Sequence, residues 1–301
     1  MERADLERRL TAATSYDECV AALAKFFVAH DVVFGHGTDN AGDEAFWLLK
    51  HLQNWRDGAW DEKPDRGLIA AAVEIAGRRV AERKPLAYLL GEAWFAGLRF
   101  KVDPRVLVPR SPLAEVIERG FAPWCELDDG DRVLDIGTGS GCLAIAAARY
   151  CPGVSVDATD VSADALAVAA ENVALHAVEA RVRLHRADLF PPGRQRYRVI
   201  MSNPPYVPAA EVPTLPAEYR HEPAIGLAGG ASGFEPAVRV LRGAPERLTP
   251  DGVLLVEVGA GAEAFAAAHP RLPMIWLEFE RGGDGVFAVT AAELETFLRG
   301  G

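Results

Sequence analysis

No apolar run in this sequence approaches the roughly 20 residues that a membrane-spanning helix needs. The opening stretch, MERADLERRL, is charged and holds no apolar signal core, so no secretory leader is expected. Cysteine is scarce. The four residues Cys19, Cys125, Cys142 and Cys151 are scattered, with no CxxC pair. This argues against a zinc site or a disulfide framework and suits a reducing compartment. Positive charge is also in short supply: 32 Lys and Arg face 43 Asp and Glu, for a formal net charge of -11. Broad nucleic-acid binding needs clustered cations on phosphates and is not expected. The acidic balance fits either simple solubility or a basic protein partner. No internal repeat and no low-complexity tract occurs. These absences predict a cytoplasmic protein with no membrane contact, no metal and no sequence-specific nucleic-acid binding.

What is present falls into three parts. Residues 1–88 read as helical. ECVAALAKFFVAH and DEAFWLLKHLQ carry apolar residues at helical spacing, and Asp39 or Asn40 can cap the second. RGLIAAAVEIAGRRVAERKP is periodic and stops at Pro85. Residues 89–112 change to alternation: Phe95, Leu98, Phe100 and Val102 flank Ala96-Gly97, which predicts a β-hairpin linker with a tight turn. From 113 to 301, short β-rich runs (RVLDIG, VSVDATD, RVRLHRAD, YRVIMSN, GVLLVEVG) are mostly separated by helical stretches. That order predicts a doubly wound α/β domain with a parallel sheet. MIWLEFE and DGVFAVT are separated only by RGG, too short for a crossover helix, which predicts a terminal antiparallel hairpin.

Two stretches bear chemistry. In VLDIGTGSGCLAI a strand carrying Asp135 ends at Gly137, and Gly139 and Gly141 open a helix. Glycines permit a tight turn and close backbone approach, and a helix start offers free N–H groups. Asp160, about 20 residues on at the end of the next strand, can accept both hydroxyls of a ribose. A structural turn beside a surface Asp is the competing explanation. The second stretch is MSNPPYV, residues 201–207. Pro204 and Pro205 stop the strand and hold Asn203 rigidly extended. An open α/β sheet binds ligands outside the carboxyl ends of its strands, so NPPY and the glycine loop belong to one region. A strand-ending turn is the alternative here.

The GTGSG spacing resembles S-adenosylmethionine-dependent methyltransferases of the Rossmann-like class. That resemblance implies that Gly137, Thr138, Gly139, Ser140 and Gly141 pass beside the amino-acid part of the cofactor and that Asp160 holds its ribose. It also implies that Asp188, at the end of RADLF, reads the adenine amine, with Leu189 near the adenine ring. A helix-cap or turn role for Asp188 stays open. NPPY resembles the motif of methyltransferases that act on planar nitrogens, either adenine amines or glutamine amides. Such a nitrogen is a poor nucleophile because its lone pair is delocalised. The Asn203 side-chain carbonyl and the Pro204 backbone carbonyl can take its two hydrogens and aim the lone pair, and Tyr206 can pack on the planar group. This assigns Asn203, Pro204, Pro205 and Tyr206 to catalysis and places Asn203 beside the cofactor as well.

GEAWFAGLRFKVDPRVLVPRSP and EYRHEPAIGLAGGASGF resemble the linker and the post-NPPY loop of the HemK/PrmC-PrmB family of protein-glutamine methyltransferases. The layout of helical domain, hairpin and methyltransferase domain is also similar. Within that family FGHGTDNAGDEA, VLVPRSPLAE and LEFERGGDGVF resemble the branch that modifies a glutamine of large-subunit ribosomal protein L-three. The resemblance therefore implies that protein as substrate, with S-adenosylhomocysteine as the other product. The alternatives are the branch acting on the GGQ glutamine of peptide-chain release factors and, in another class, a non-catalytic ribosome-assembly factor. Glu222, Pro223, Gly229, Gly230 and Gly233 are expected to shape a loop over the cleft, with Glu222 as a brace or a peptide contact. His36, Arg110 and Ser111 keep both structural and functional readings.

Overall fold

The computed structural model describes residues 1–56, 58 and 60–299. The chain divides into two compact units. One is Met1–Ala93 with Pro216–His221, and the other is Trp94–Leu215 with Glu222–Gly301.

The first unit is helical: α1 (Arg3–Ala12), α2 (Tyr16–Val28), α3 (Ala41–Leu52), α4 (Arg66–Glu82) and the short α5 (Leu86–Leu90). The apolar stripes of α2 and α3 are buried, including Leu23, Phe26 and Phe27 on one and Trp47, Leu48 and Leu49 on the other. Of the two candidate caps, Asn40 is the one used: its Oδ1 accepts the Asp43 N–H at 2.9 Å. Segment 216–221 lies inside the stretch expected to be one methyltransferase domain, yet it clusters with the helices. The cause is a buried charge cluster. Arg79 is fully buried and donates Nε to Glu44 at 2.7 Å. Glu218 Oε1 accepts the Val33 N–H at 3.1 Å and pairs with Arg79 and Arg83.

A two-stranded sheet follows, β1 (Glu92–Phe95) and β2 (Leu98–Lys101). Its turn residues Ala96 and Gly97 both have positive φ (48° and 68°), the geometry that matches the strand twist of a two-residue hairpin.

The second unit is built on a seven-stranded sheet. Its elements are α6 (Leu113–Glu118), β3 (Arg132–Ile136), α7 (Cys142–Tyr150), β4 (Ser155–Asp160), α8 (Ala163–Leu175), β5 (Val182–Arg186), β6 (Tyr197–Ser202), α9 (Glu235–Gly243), β7 (Leu248–Glu257), α10 (Ala262–Ala268), β8 (Ile275–Trp276), β9 (Val286–Thr290) and α11 (Ala291–Arg299). The order is β5-β4-β3-β6-β7-β9-β8. The first five strands in that order run parallel, and β9 is antiparallel to both β7 and β8. The α/β fold with a terminal antiparallel pair is therefore the one expected. The hairpin differs in detail: only Ile275–Trp276 of MIWLEFE is strand, and the connection runs from 277 to 285.

Strand residues alternate between two cores. Val133, Val199, Met201, Val253 and Leu255 point to the face that also holds Phe100, Leu143 and Ile145. Leu134, Ile200, Leu254, Val256 and Phe287 point to the face with Leu241, Phe265 and Leu294. Both faces are covered, so these strands read as continuous apolar runs rather than alternating ones.

Candidate active site

β3 and β6 are neighbours, with Ile136 opposite Ser202. The chain leaves both strands at the same sheet edge, and Ser202 Oγ donates to the Ile136 carbonyl at 2.9 Å, tying the two exits together. This adjacency brings the glycine loop and NPPY to one cavity of about 430 Å³, a volume typical of small-molecule sites. Gly137, Gly139, Asp160, Asp188 and Leu189 line it, as do Asn203, Pro204 and Pro205.

Thr138, Ser140, Gly141 and Tyr206, also expected at the site, are not among the residues that line it. Thr138 is buried and donates Oγ1 to Asp135 at 2.6 Å. Ser140 is buried, and its carbonyl accepts from Asn172 at 2.9 Å. Gly141 packs toward Ile145 and Ala169. The Tyr206 ring lies across Gly259, where an added Cβ would stand 2.7 Å from it, and the Tyr206 hydroxyl is 3.4 Å from Glu257 Oε1.

The glycine loop is shaped from below by carboxylates. Asp135 is fully buried, and its Oδ2 accepts Thr138 Oγ1 and the Ala144 N–H at 3.2 Å. Burial pushes this acid up to about 7, opposed by those two hydrogen bonds. Asp160 Oδ2 accepts the Gly139 N–H and its Oδ1 the Ser162 N–H, both at 2.9 Å. The acid expected at the ribose thus also clamps the loop, which fixes its carboxylate in the cavity wall. Asp188 pairs with Arg239 at 2.7 Å on the cavity wall, both side chains being exposed. Leu189 takes a positive φ of 72°, and its carbonyl accepts Thr159 Oγ1 at 2.6 Å.

NPPY is held from above by the loop after it. Val207 and Ala228 form a parallel bridge, with the Val207 N–H donating to Leu227 O and the Gly229 N–H to Val207 O. A Cβ at Gly229 would lie 2.6 Å from the Pro205 carbonyl oxygen, so that loop rests directly on the motif backbone. Glu222 is a brace: it takes Arg110 through both oxygens (2.6 and 2.9 Å) and the Val108 N–H. His36 is buried with its ring 4.4 Å from that of Tyr219.

Several contributors were not read from sequence. Arg105, Val106, Leu107, Ile225 and Arg239 line the cavity, and Ile225 is 59% exposed at it. Asn172 of α8 is fully buried and holds both Lys101 of β2 and Ser140 of the loop. Glu257 closes the apolar run 252–256 of β7, and an acid in that place, at the carboxyl end of a parallel strand, is the signal that could have found it.

The sheet order, with glycine loop and NPPY at adjoining strand ends, defines a Rossmann-like methyltransferase. The family described as "Methyltransferase small domain" matches residues 123–216. The chain is 46% identical to a "Ribosomal protein uL3 glutamine methyltransferase" of Bordetella pertussis, over 88% of this chain and 91% of that protein. A relative of the same name from Xanthomonas campestris is 47% identical over 87% of each. Among solved structures, a methyltransferase from Pyrococcus furiosus matches with a TM-score of 0.47 at 21% identity, over 65% of this chain and 89% of that one. The chain belongs to the family of ribosomal protein uL3 glutamine methyltransferases.

Proposed function

We propose that this enzyme transfers a methyl group from S-adenosylmethionine to the side-chain amide nitrogen of a glutamine in ribosomal protein uL3. One observation carries the chemistry: Asn203 and Pro204 share a cavity wall with Gly137, Gly139 and Asp160. The kinship at 46% identity supports the target.

The cavity fits the cofactor. A Cβ built on Gly137 or Gly139 meets no atom within 4 Å, so the absence of side chains there leaves open the space that a ligand would fill. Gly137 and Gly139 would face the amino-acid part, Asp160 the ribose, and Asp188 with Leu189 the adenine. When bound, S-adenosylmethionine supplies an electrophilic methyl on a sulfonium. The Asn203 side-chain carbonyl and the Pro204 carbonyl accept the two amide hydrogens, which aims the nitrogen lone pair and stabilises positive charge developing on it. Tyr206 supplies the aromatic face. The helical part, residues 1–88, recognises the substrate protein, and 89–112 links it to the domain 113–301. The reaction belongs in the cytoplasm, and no helix among the described residues is long and apolar enough to cross a membrane.

Purified enzyme, labelled methyl donor and free uL3 test this directly. Label on one uL3 glutamine, located by mass spectrometry, is the expected result. Label on a release factor and none on uL3 would refute the target.

A further inference from the structure

Glu257 is 4% exposed, at the carboxyl end of β7. A buried carboxyl needs partners to offset its lost hydration. Here both oxygens face hydroxyls. Oε2 accepts Ser111 Oγ at 2.5 Å, and Ser111 Oγ in turn accepts the Leu113 N–H. Oε1 faces the Tyr206 hydroxyl at 3.4 Å, long for an O–H···O bond but of a kind that tightens when an active site fills. Two residues further on, Gly259 provides the flat surface on which the Tyr206 ring lies. Carboxylate and glycine together form a seat for one side chain, the aromatic of NPPY.

We propose that Glu257 is a positioning residue for methyl transfer: its ionised carboxylate takes the Tyr206 hydroxyl, seats the ring on Gly259, and so fixes where the aromatic stands relative to the Asn203 and Pro204 carbonyls. This rests on reading NPPY as the transfer site. Only the ionised form accepts from both hydroxyls at once. A proton on Oε1 turns that oxygen into a donor, so the tyrosine O–H loses its charged acceptor and the ring is held less firmly. The charged and titratable groups facing Glu257 are Arg110, whose charge favours ionisation, Asp284, which opposes it, and Tyr206 itself. Burial dominates and pushes the carboxyl up to about 7. The seat is therefore fully formed above that pH and lost as pH falls through it.

The test is single-turnover methylation of free uL3 at saturating S-adenosylmethionine, from about pH 5.5 to about pH 9, with cofactor affinity followed by calorimetry over the same range. Wild type should gain about ten-fold in rate between about pH 6 and about pH 8. Glu257→Gln, which keeps the shape without the titration, should lose that acid limb, and so should Tyr206→Phe, while cofactor affinity changes less than about two-fold in either. Burial also pushes Asp135, under the glycine loop, up to about 7, and the calorimetry reads its effect on the cofactor. An acid limb that persists in Glu257→Gln, or variant rates equal to wild type throughout, would overturn the inference. Asn203→Ala in the same assay separates the two claims. If it is inactive while Glu257→Gln keeps the limb, only the positioning role fails. If it turns over normally, the reading of NPPY fails with it.

Discussion

Among single residues, the proposed transfer rests first on Asn203. It stands half-buried in the cavity wall, at the exit of β6. Removing one preorganised group aimed at developing charge typically costs about 10²- to 10³-fold in rate. Asn203→Ala should therefore lose at least that much transfer while calorimetry finds cofactor affinity within a few-fold of wild type. Asp135 makes a different prediction, about pH. Its carboxyl rises from an ordinary 3.8 to about 7 on folding because it is fully buried. Between those values the folded chain keeps a proton that the unfolded chain has released. The stabilisation is thus complete below the unfolded value and is lost as pH rises toward 7. Asp135→Asn should remove part of that slope, and its melting temperature relative to wild type should rise between about pH 5 and about pH 8. The gain is on the order of 2 kcal/mol. A difference that stays constant with pH would refute this. Glu257 shifts in the same direction, so the slope should shrink in the variant rather than vanish.

The glycine loop and the 227–230 segment act as elements. Each is a backbone surface, one beneath the cavity and one against NPPY. Gly229→Ala would drive a Cβ to 2.3 Å from the Gly233 carbonyl and 2.6 Å from that of Pro205. Both obstacles are backbone, so the loop, NPPY or both must shift. A misplacement of about 1 Å in a transfer site can cost about 10²-fold. The expected outcome is a rate loss of that order with an unchanged far-ultraviolet circular dichroism spectrum, and a normal rate would show that the loop does not set the motif's position. Elements were also where sequence and structure agreed least. β8 is two residues long although MIWLEFE carries a full strand's apolar content, because it pairs only with β9 at the sheet edge. The glycine loop, by contrast, was legible, since strand, glycines and following helix are all local features.

At the scale of the molecule, a six-residue segment far along the chain completes the helical unit. Glu218 supplies an acceptor for Val33, Arg79 and Arg83, and without it the buried Arg79 is left, among the described residues, with Glu44 and the Val33 carbonyl. Breaking such a buried cluster by removing one partner costs about 3–5 kcal/mol. Glu218→Ala should lower the thermal stability accordingly, and a melting curve that superimposes on wild type would rule out a structural role for the cluster. No periodicity announces this arrangement, because Arg79 and Glu218 are 139 positions apart. The sequence by itself determined what depends on neighbours along the chain: helix stripes, a cap at Asp39 or Asn40, the Ala96-Gly97 turn, the strand-ending prolines and the acid that ends β4. Only the tertiary structure decided what depends on strand order and on distant partners. It fixed the pairing of β3 with β6 that puts Asn203 and Gly137, expected in one region, on one cavity wall. It turned Tyr206 onto Gly259 and Glu257, gave Glu222 to Arg110, and drew 216–221 to the helices. Each of these is an unpaired polar group or a bare backbone surface finding its complement across the fold, where the cost of burying it alone selects the partner.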